Sequence, residues 1–305
     1  MAEGSLQGRR VGLIGLGLMG RPMTDNLKAA GADMHVWTRD AAKRATAAAK
    51  GFTAAGTPRD LVRAVDTVII MVADTPAVAA VLDGPDGVVA GLSDGVLVID
   101  MGTTAPTATK EFAARVDAAG ALWLDAPVSG GEVGAREASL TIMAGGSDAA
   151  FARAEPILRA LGRNVTHMGG PGAGQVTKAA NQVIVGLTIG AVAEAFTLAK
   201  HAGVDPATLR EALLGGFAAS RVLDLHGRRM VENAFTPGGK AATQRKDMAQ
   251  ALDLADSLGV EMPATALNKS LYDVLCDDRG EGDLDHAALI RVLDPDTAPN
   301  PDKTA

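Results

Sequence analysis

The chain holds one cysteine, Cys276, in 305 residues, so an internal disulfide and a cysteine-built metal cage are both excluded. Its five histidines (His35, His167, His201, His226 and His286) are scattered without the spacing of a ligand set, and no metal is expected. Basic residues are in deficit: 29 Lys and Arg against 36 Asp and Glu leave a formal charge of −7. That balance offers no electrostatic partner to nucleic acid or to an anionic membrane, so neither is expected as a partner. No uninterrupted apolar run reaches membrane-spanning length. Residues 1–10 lack the hydrophobic centre of a signal peptide, and a cytoplasmic protein is the expectation. No internal repeat of solenoid type is present. With 47% apolar and 21% charged residues the composition is that of a globular protein, and the length points to two domains.

What is present begins with Gly15-Leu16-Gly17-Leu18-Met19-Gly20. An apolar run, residues 11–14, precedes it, and a helix-like stretch, 21–30, follows. Strand, glycine turn and helix in that order form the context of a dinucleotide-binding fingerprint. Gly15 allows the tight turn, Gly17 keeps side-chain bulk away from a pyrophosphate, and Gly20 lets helix and strand pack closely. The helix N-terminus offers N–H groups and a positive dipole end to the phosphates.

The end of the second apolar run, 34–37, decides between the nicotinamide cofactors. In an NAD-binding unit an acid there bonds the ribose 2′-OH. Here Thr38 holds that place and Arg39 follows. A guanidinium can pair with a 2′-phosphate and stack on adenine, which favours NADP(H) over NAD(H). The competing reading makes Arg39 a solvated cation and Asp40 the ribose acid, one residue late.

Strand-like runs at 11–15, 34–38, 67–72, 96–100, 122–125, 140–144 and 165–168 alternate, in the early part, with Ala-rich helical stretches. That pattern predicts βαβ units and a largely parallel sheet. Beyond Gly169-Gly170-Pro171-Gly172-Ala173-Gly174 no strand run remains. Helices are expected at 175–202, 206–214, 221–232, 246–258 and 263–276. The expected organisation is an α/β dinucleotide-binding domain over 1–170, an all-α domain over 171–293 and a disordered tail over 294–305. Ligands of open α/β sheets sit beyond the carboxyl ends of the strands. The loops Val72-Ala73-Asp74 and Asp100-Met101-Gly102-Thr103-Thr104 are therefore expected on the cofactor side. Thr103 suits a ribose or nicotinamide contact, or a cap for the helix that starts near Pro106.

Three further segments carry chemistry. Asp125-Ala126-Pro127-Val128-Ser129-Gly130-Gly131 ends a strand in a turn whose successive N–H groups can form an anion-binding concavity. Gly172-Ala173-Gly174-Gln175-Val176-Thr177-Lys178 opens the longest helix. Gln182 shares the helix face of Lys178, and Asn181 is adjacent. A lysine on an apolar helix usually snorkels to solvent. Two amides beside it suggest a polar pocket instead, in which an ammonium can protonate a carbonyl oxygen. Lys246-Asp247 opens a later helix.

In these motifs, in their order and at their spacing over residues 11–292, the chain resembles the β-hydroxyacid dehydrogenase family. The resemblance implies a Rossmann-like N-terminal domain, a long interdomain helix and an all-helical second domain that forms homodimers or homotetramers. It implies Lys178 as general acid and base, and Ser129, Gly130 and Gly131 as the cradle of a small substrate's carboxylate. Asn181, Gln182 and Asp247 would line the substrate site, and Lys246 and Thr103 would lie near the cofactor. Thr38-Arg39 resembles the NADP-preferring members. Gly239 departs from the family by standing where an aromatic residue follows Pro-Gly. Loss of that ring would enlarge the pocket and admit a bulkier substrate, unless Phe235 or Met230 fills the space. Two other readings are an imine reductase-like enzyme on the same fold and a non-catalytic, cofactor-sensing scaffold. Retention of Lys178 and of the Ser-Gly-Gly turn argues against the first, and retention of Lys178 against the second.

Overall fold

The computed structural model describes residues 5–297. The chain divides after Lys178 into two compact units, a little later than the expected boundary near 170. The division falls inside a helix, because the first turns of that helix are bonded to the sheet of the first unit.

The first unit alternates strands and helices: β1 Arg10–Ile14, α1 Gly20–Ala29, β2 Asp33–Trp37, α2 Ala41–Ala49, β3 Thr53–Ala54, α3 Pro58–Arg63, β4 Thr67–Ile70, α4 Thr75–Leu82, β5 Leu97–Asp100 and α5 Pro106–Ala118. Then come β6 Leu122–Asp125, β7 Val128–Ser129, α6 Gly131–Arg136, β8 Leu140–Gly146, α7 Asp148–Arg159, β9 Gly162–Gly169 and the start of α8, Ala173–His201. Six strands run parallel in the order β3-β2-β1-β4-β5-β6. β8 is antiparallel to β6 and β7, and β9 is parallel to β8.

The central strands are mainly apolar because both sheet faces are covered. Leu13, Ile69, Leu97, Ile99 and Leu124 pack with Met23 and Leu27 of α1 and Ile157 and Leu158 of α7. Ile14, Val68, Ile70, Val98 and Trp123 pack with Leu61 and Val62 of α3, Val78 of α4, and Phe112 and Val116 of α5. All seven expected strands form. β3 and β7, of two residues each, are too short for a periodicity to reveal. α6 was not expected either, since two of its six residues are glycine, a poor helix former.

The second unit is helical: the rest of α8, α9 Pro206–Leu214, α10 Arg221–Glu232, α11 Ala241–Ser257, α12 Pro263–Asp273 and α13 Ile290–Leu293. A π turn, Val274–Asp278, extends α12, and a 3-10 turn, His286–Leu289, precedes α13. Its core gathers Ile189, Phe196, Leu223, Met230, Phe235, Met248, Tyr272 and Leu289. α11 and α12 press against α8 at glycines. A Cβ on Gly186 would lie 2.6 Å from Gln244 Nε2, and one on Gly190 2.2 Å from Asn268 Oδ1. By length and mean hydropathy (1.7) α8 could cross a membrane. Of its apolar side chains, Ile189, Val192, Ala193 and Phe196 are buried in this core, while Ile184 and Leu198 are exposed.

Two expectations are corrected. α11 starts at Ala241, so Lys246 and Asp247 lie within the helix rather than at its opening; no side chain caps it, which removes the usual signal of a helix start. The chain is also built into the fold beyond residue 293. Asp294 is buried and pairs with Lys200 at 2.5 Å, and Thr297 accepts a hydrogen bond from Arg291. The remainder of the expected tail, 298–305, lies outside the described residues.

Between α6 and β8, Ala138 adopts a φ of 51°, in the left-handed region that costs a residue with a Cβ about 1–2 kcal/mol. Ala138→Gly is expected to raise unfolding free energy by about 0.5–1 kcal/mol, net of glycine's added freedom in the unfolded chain. A higher urea midpoint at unchanged slope would confirm it, and a lower midpoint would refute it.

Candidate active site

The glycine turn after β1 has the expected geometry. At Gly15, with φ 107°, a Cβ would sit 2.1 Å from Met71 O, and at Gly20 it would sit 1.9 Å from Gly15 O. A Cβ on Gly17 would meet nothing within 4 Å, so its backbone faces open space. No side chain caps α1 and no acid stands in its first turn. Leu18 is exposed, while Leu16 is buried in the core and Met19 packs against it. A pyrophosphate fits this turn: the two glycines that make it are sterically required, and the third leaves the approach clear.

Beyond β2, one oxygen of Asp40 is engaged. Its Oδ1 accepts the N–H groups of Ala42 at 2.9 Å and Lys43 at 3.2 Å, capping α2. The bond from the Lys43 N–H leads the influences that hold its carboxyl below the ordinary range. Arg39 is exposed. Arg44, not singled out in the sequence, donates from Nη1 to the carbonyls of Thr38 and Arg39 and so braces the loop that carries Arg39.

The loops after β4 and β5 lie side by side. A Cβ on Gly102 would be 2.9 Å from Val72 O, and the Ala105 N–H donates to Thr75 Oγ1 at 2.9 Å. Ala73 lies between Val72 and Asp74 in the first of these loops. Asp74 caps α4 by accepting the Ala77 N–H on Oδ1 at 2.9 Å. Thr103 is half-buried and is not the cap of α5, whose N-cap is Ala105 without a side-chain bond. Its neighbour Thr104 donates its hydroxyl to Asp100 Oδ2 at 2.6 Å, and the Gly102 N–H donates to Asp100 Oδ1 at 3.0 Å.

Two buried carboxylates, Asp100 and Asp125, stand in register at the ends of β5 and β6. Asp125 accepts the Gly172 N–H on Oδ1 at 2.7 Å and the Gln175 N–H on Oδ2 at 3.0 Å, which caps α8. The start of α8 lies so close to the sheet that a Cβ on Gly174 would be 2.3 Å from Met143 O. Lys178, one turn further on, is 7% exposed, so it does not snorkel. Ser129 ends β7, and Gly130 and Gly131, both at positive φ, lead into α6.

In the second unit, Asn181, Gln182, Lys246 and Asp247 form one network. Asn181 Nδ2 donates to Gln182 Oε1 at 2.8 Å, and Gln182 Nε2 donates to Asp247 Oδ2 at 2.7 Å. Lys246 Nζ lies 3.0 Å from Asp247 Oδ1. Gln244, absent from the sequence expectations, joins through Gln182 Nε2 at 3.2 Å.

Gly239 belongs to a different group. The N–H groups of Gly238 and Gly239 donate to Asp285 Oδ2 at 2.9 and 3.3 Å, beside the Arg229 guanidinium. His226 and His286 complete the group, their Nε2 atoms 3.2 Å apart. His226, Asp285 and His286 are close enough to hold a cation. However, Asp285 Oδ2 is already met by Arg229 and two N–H groups, and Oδ1 accepts the Ala287 N–H at 3.1 Å and lies 3.4 Å from His226 Nδ1. A Cβ on Gly239 would meet the His286 imidazole at 3.5–3.9 Å. The neighbour at this place is therefore a polar ring, while Phe235 and Met230 are buried in the core.

A family model for the NAD binding domain of 6-phosphogluconate dehydrogenase matches residues 10–170, and one for the NAD-binding of NADP-dependent 3-hydroxyisobutyrate dehydrogenase matches 172–293. The chain is 45% identical to the 2-hydroxy-3-oxopropionate reductase of Escherichia coli K12, over 93% of this chain and 97% of that protein. It is 32% identical to the NAD-dependent L-serine dehydrogenase of Pseudomonas aeruginosa, over 94% and 98% of the two chains. The structure of Mycobacterium tuberculosis 3-hydroxyisobutyrate dehydrogenase superposes with a TM-score of 0.86 at 30% identity, covering 94% of this chain and 99% of that one. An imine reductase from Pseudomonas sp. is similar in fold alone, at 20% identity and a TM-score of 0.59.

Burial pushes the Asp125 carboxyl up to about 6, against the backbone N–H groups of Gly172, Gln175 and Gly174, which favour the ionised form. Between the ordinary carboxylate value and about pH 6 the folded chain then holds a proton that the unfolded chain has lost. Stability is expected to fall as pH rises through that window, by at most about 3 kcal/mol. Urea unfolding from pH 4 to 7 of the wild type and Asp125→Asn tests this. Equal pH dependence in the two would rule Asp125 out as the source.

Proposed function

The chain belongs to the β-hydroxyacid dehydrogenase family of NAD(P)-dependent oxidoreductases, and on that premise we propose that it moves a hydride between NADP(H) and a small β-hydroxyacid or the matching β-oxo acid (semialdehyde). The observation that carries this reading is Lys178, a buried ammonium just inside a helix whose first turn is fixed to the sheet by Asp125. A bound nicotinamide would supply or accept the hydride.

The turn Gly15–Gly20 holds the pyrophosphate, and Val72, Ala73 and Thr103 lie on the cofactor side of the sheet. Arg39 pairs with the 2′-phosphate. Use of Asp40 Oδ1 as the α2 cap supports this, because one oxygen of the competing ribose acid is thereby engaged. The N–H groups of Ser129, Gly130 and Gly131 hold the substrate carboxylate. Lys178 Nζ gives a proton to the carbonyl oxygen as it becomes an alkoxide, and takes one back from the hydroxyl in oxidation. Asn181, Gln182 and Asp247 orient the substrate's oxygens, and Lys246 serves the cofactor.

The His286 imidazole beside Gly239 shifts the reading of that position. A polar ring there favours a hydroxylated small acid over the bulkier apolar substrate that a bare glycine suggests. The relative at 45% identity is named for a small substrate that bears both hydroxyl and oxo groups. Self-association into a homodimer or homotetramer fits the exposed apolar side chains of the second unit, Ile184 and Leu198 on α8, Phe217 before α10 and Leu267 on α12. No role in binding nucleic acid or membrane is proposed, and the reading places the enzyme in the cytoplasm.

Lys178→Ala is expected to lower turnover with a small semialdehyde by about 100-fold or more while NADPH affinity stays within a few-fold. Wild-type turnover in this variant would remove Lys178 from the chemistry. Arg39→Ala should raise the KM for NADPH by about 10-fold or more and leave that for NADH nearly unchanged. Equal changes for the two cofactors would defeat the 2′-phosphate assignment.

A further inference from the structure

We propose that Gln175 is a positioning residue that couples the cofactor loop to the catalytic lysine, gripping the backbone on both sides of Thr103 while standing one helical turn ahead of Lys178. The inference rests on the reading that residues 102–104 serve the cofactor and that Lys178 is the acid.

The Gln175 side chain is 1% exposed and uses both ends of its amide. Oε1 accepts the Thr104 N–H at 3.0 Å, and Nε2 donates to Gly102 O at 2.9 Å, with Asp100 Oδ2 at 3.5 Å. Thr103 lies between the two gripped residues. Asp100 holds the other side of the same segment through the Gly102 N–H and the Thr104 hydroxyl. The Gln175 backbone N–H is bonded to Asp125, so its main chain is fixed in α8 while its side chain is fixed in the loop. A shift of the loop is therefore delivered to the first turns of α8, a rigid element that places Lys178 about 4.5 Å further along its axis. Displacements near 1 Å at a reacting group cost about 100-fold in rate. A neutral amide suits the place. It supplies a donor and an acceptor without adding a third carboxylate beside Asp100 and Asp125.

Gln175→Glu tests the grip through its protonation. A protonated Glu reproduces the pair, its O–H donating to Gly102 O and its carbonyl accepting from the Thr104 N–H. The ionised form cannot donate, and it faces Asp100 at the end of β5 and Asp125 at the end of β6. At pH 8 this variant is expected to weaken NADPH binding and to lower kcat, each by about 10-fold, with both recovering toward wild type near pH 5.5. Gln175→Met should show both losses at every pH. A Gln175→Glu profile that tracks wild type throughout, or a Gln175→Met that loses only melting temperature, would overturn the proposal. Hydrogen exchange of the wild type gives an arm that needs no variant. NADPH should slow exchange at 102–104 and at 175–178 together, and slowing confined to the loop would overturn the coupling. Thr103→Ala and Lys178→Ala in parallel separate the two levels: if they are silent, the underlying reading fails; if they respond and Gln175 does not, the coupling alone fails.

Discussion

The cap that Asp125 places on α8 is the constraint on which the rest of the first unit depends. A helix leaves its first N–H groups without internal partners, and here a carboxylate at the end of β6 takes those of Gly172 and Gln175. The contact works only if the helix start lies directly on the sheet, and that explains its composition. A Cβ on Gly145 would come within 2.8 Å of Asp125 Oδ2, and one on Gly174 would come equally close. With the start of α8 fixed, every later side chain has a defined height and phase, Lys178 first among them. The same contact explains why the chain divides within α8: its opening turns belong to the sheet.

Much of this was legible in the sequence, for identifiable reasons. Strands buried on both faces read as apolar runs, so 67–70 and 97–100 could hardly be missed. α9 and α10 match their expected bounds because Asp205 before Pro206, and Ser220 before Arg221, announce a cap, and both side chains make the capping bond. α11 begins five residues earlier than read because Lys240 offers no such signal. The glycine turn was legible because Gly15 and Gly20 are each required by a contact that their neighbours impose, while Gly17 faces open space.

Side chains that meet across long sequence separations were not legible. Gln175 stood inside a quoted motif, yet its partners lie more than seventy residues earlier. His226 and His286 looked unrelated at sixty residues apart and are in contact. Periodicity reports which face of an element is buried and is silent on which polar groups meet there. Asp40 is another case: its Oδ1 caps α2 through the N–H groups of Ala42 and Lys43, a use that the sequence alone left open beside a ribose contact.

The two units each contain a buried acid as a hub, and the surroundings set opposite electrostatic characters. Asp125 is met by neutral N–H groups, so burial dominates and its carboxyl is raised to about 6. Burial also acts on Asp285, but the neighbouring His226, His286 and Arg229 side chains outweigh it and hold the carboxyl far below the ordinary range. The signs of the pH dependence therefore differ. The Asp285 contribution is lost only as pH falls below the ordinary carboxylate range, toward strong acid. The Asp125 hub is most favourable when protonated, and its ionisation near pH 6 works against folding while strengthening the charge that faces the N-terminus of α8. A carboxylate so placed favours the aligned helix dipole, and with the N–H groups of Gly172, Gln175 and Gly174 it offsets part, though not all, of the cost of burying the charge.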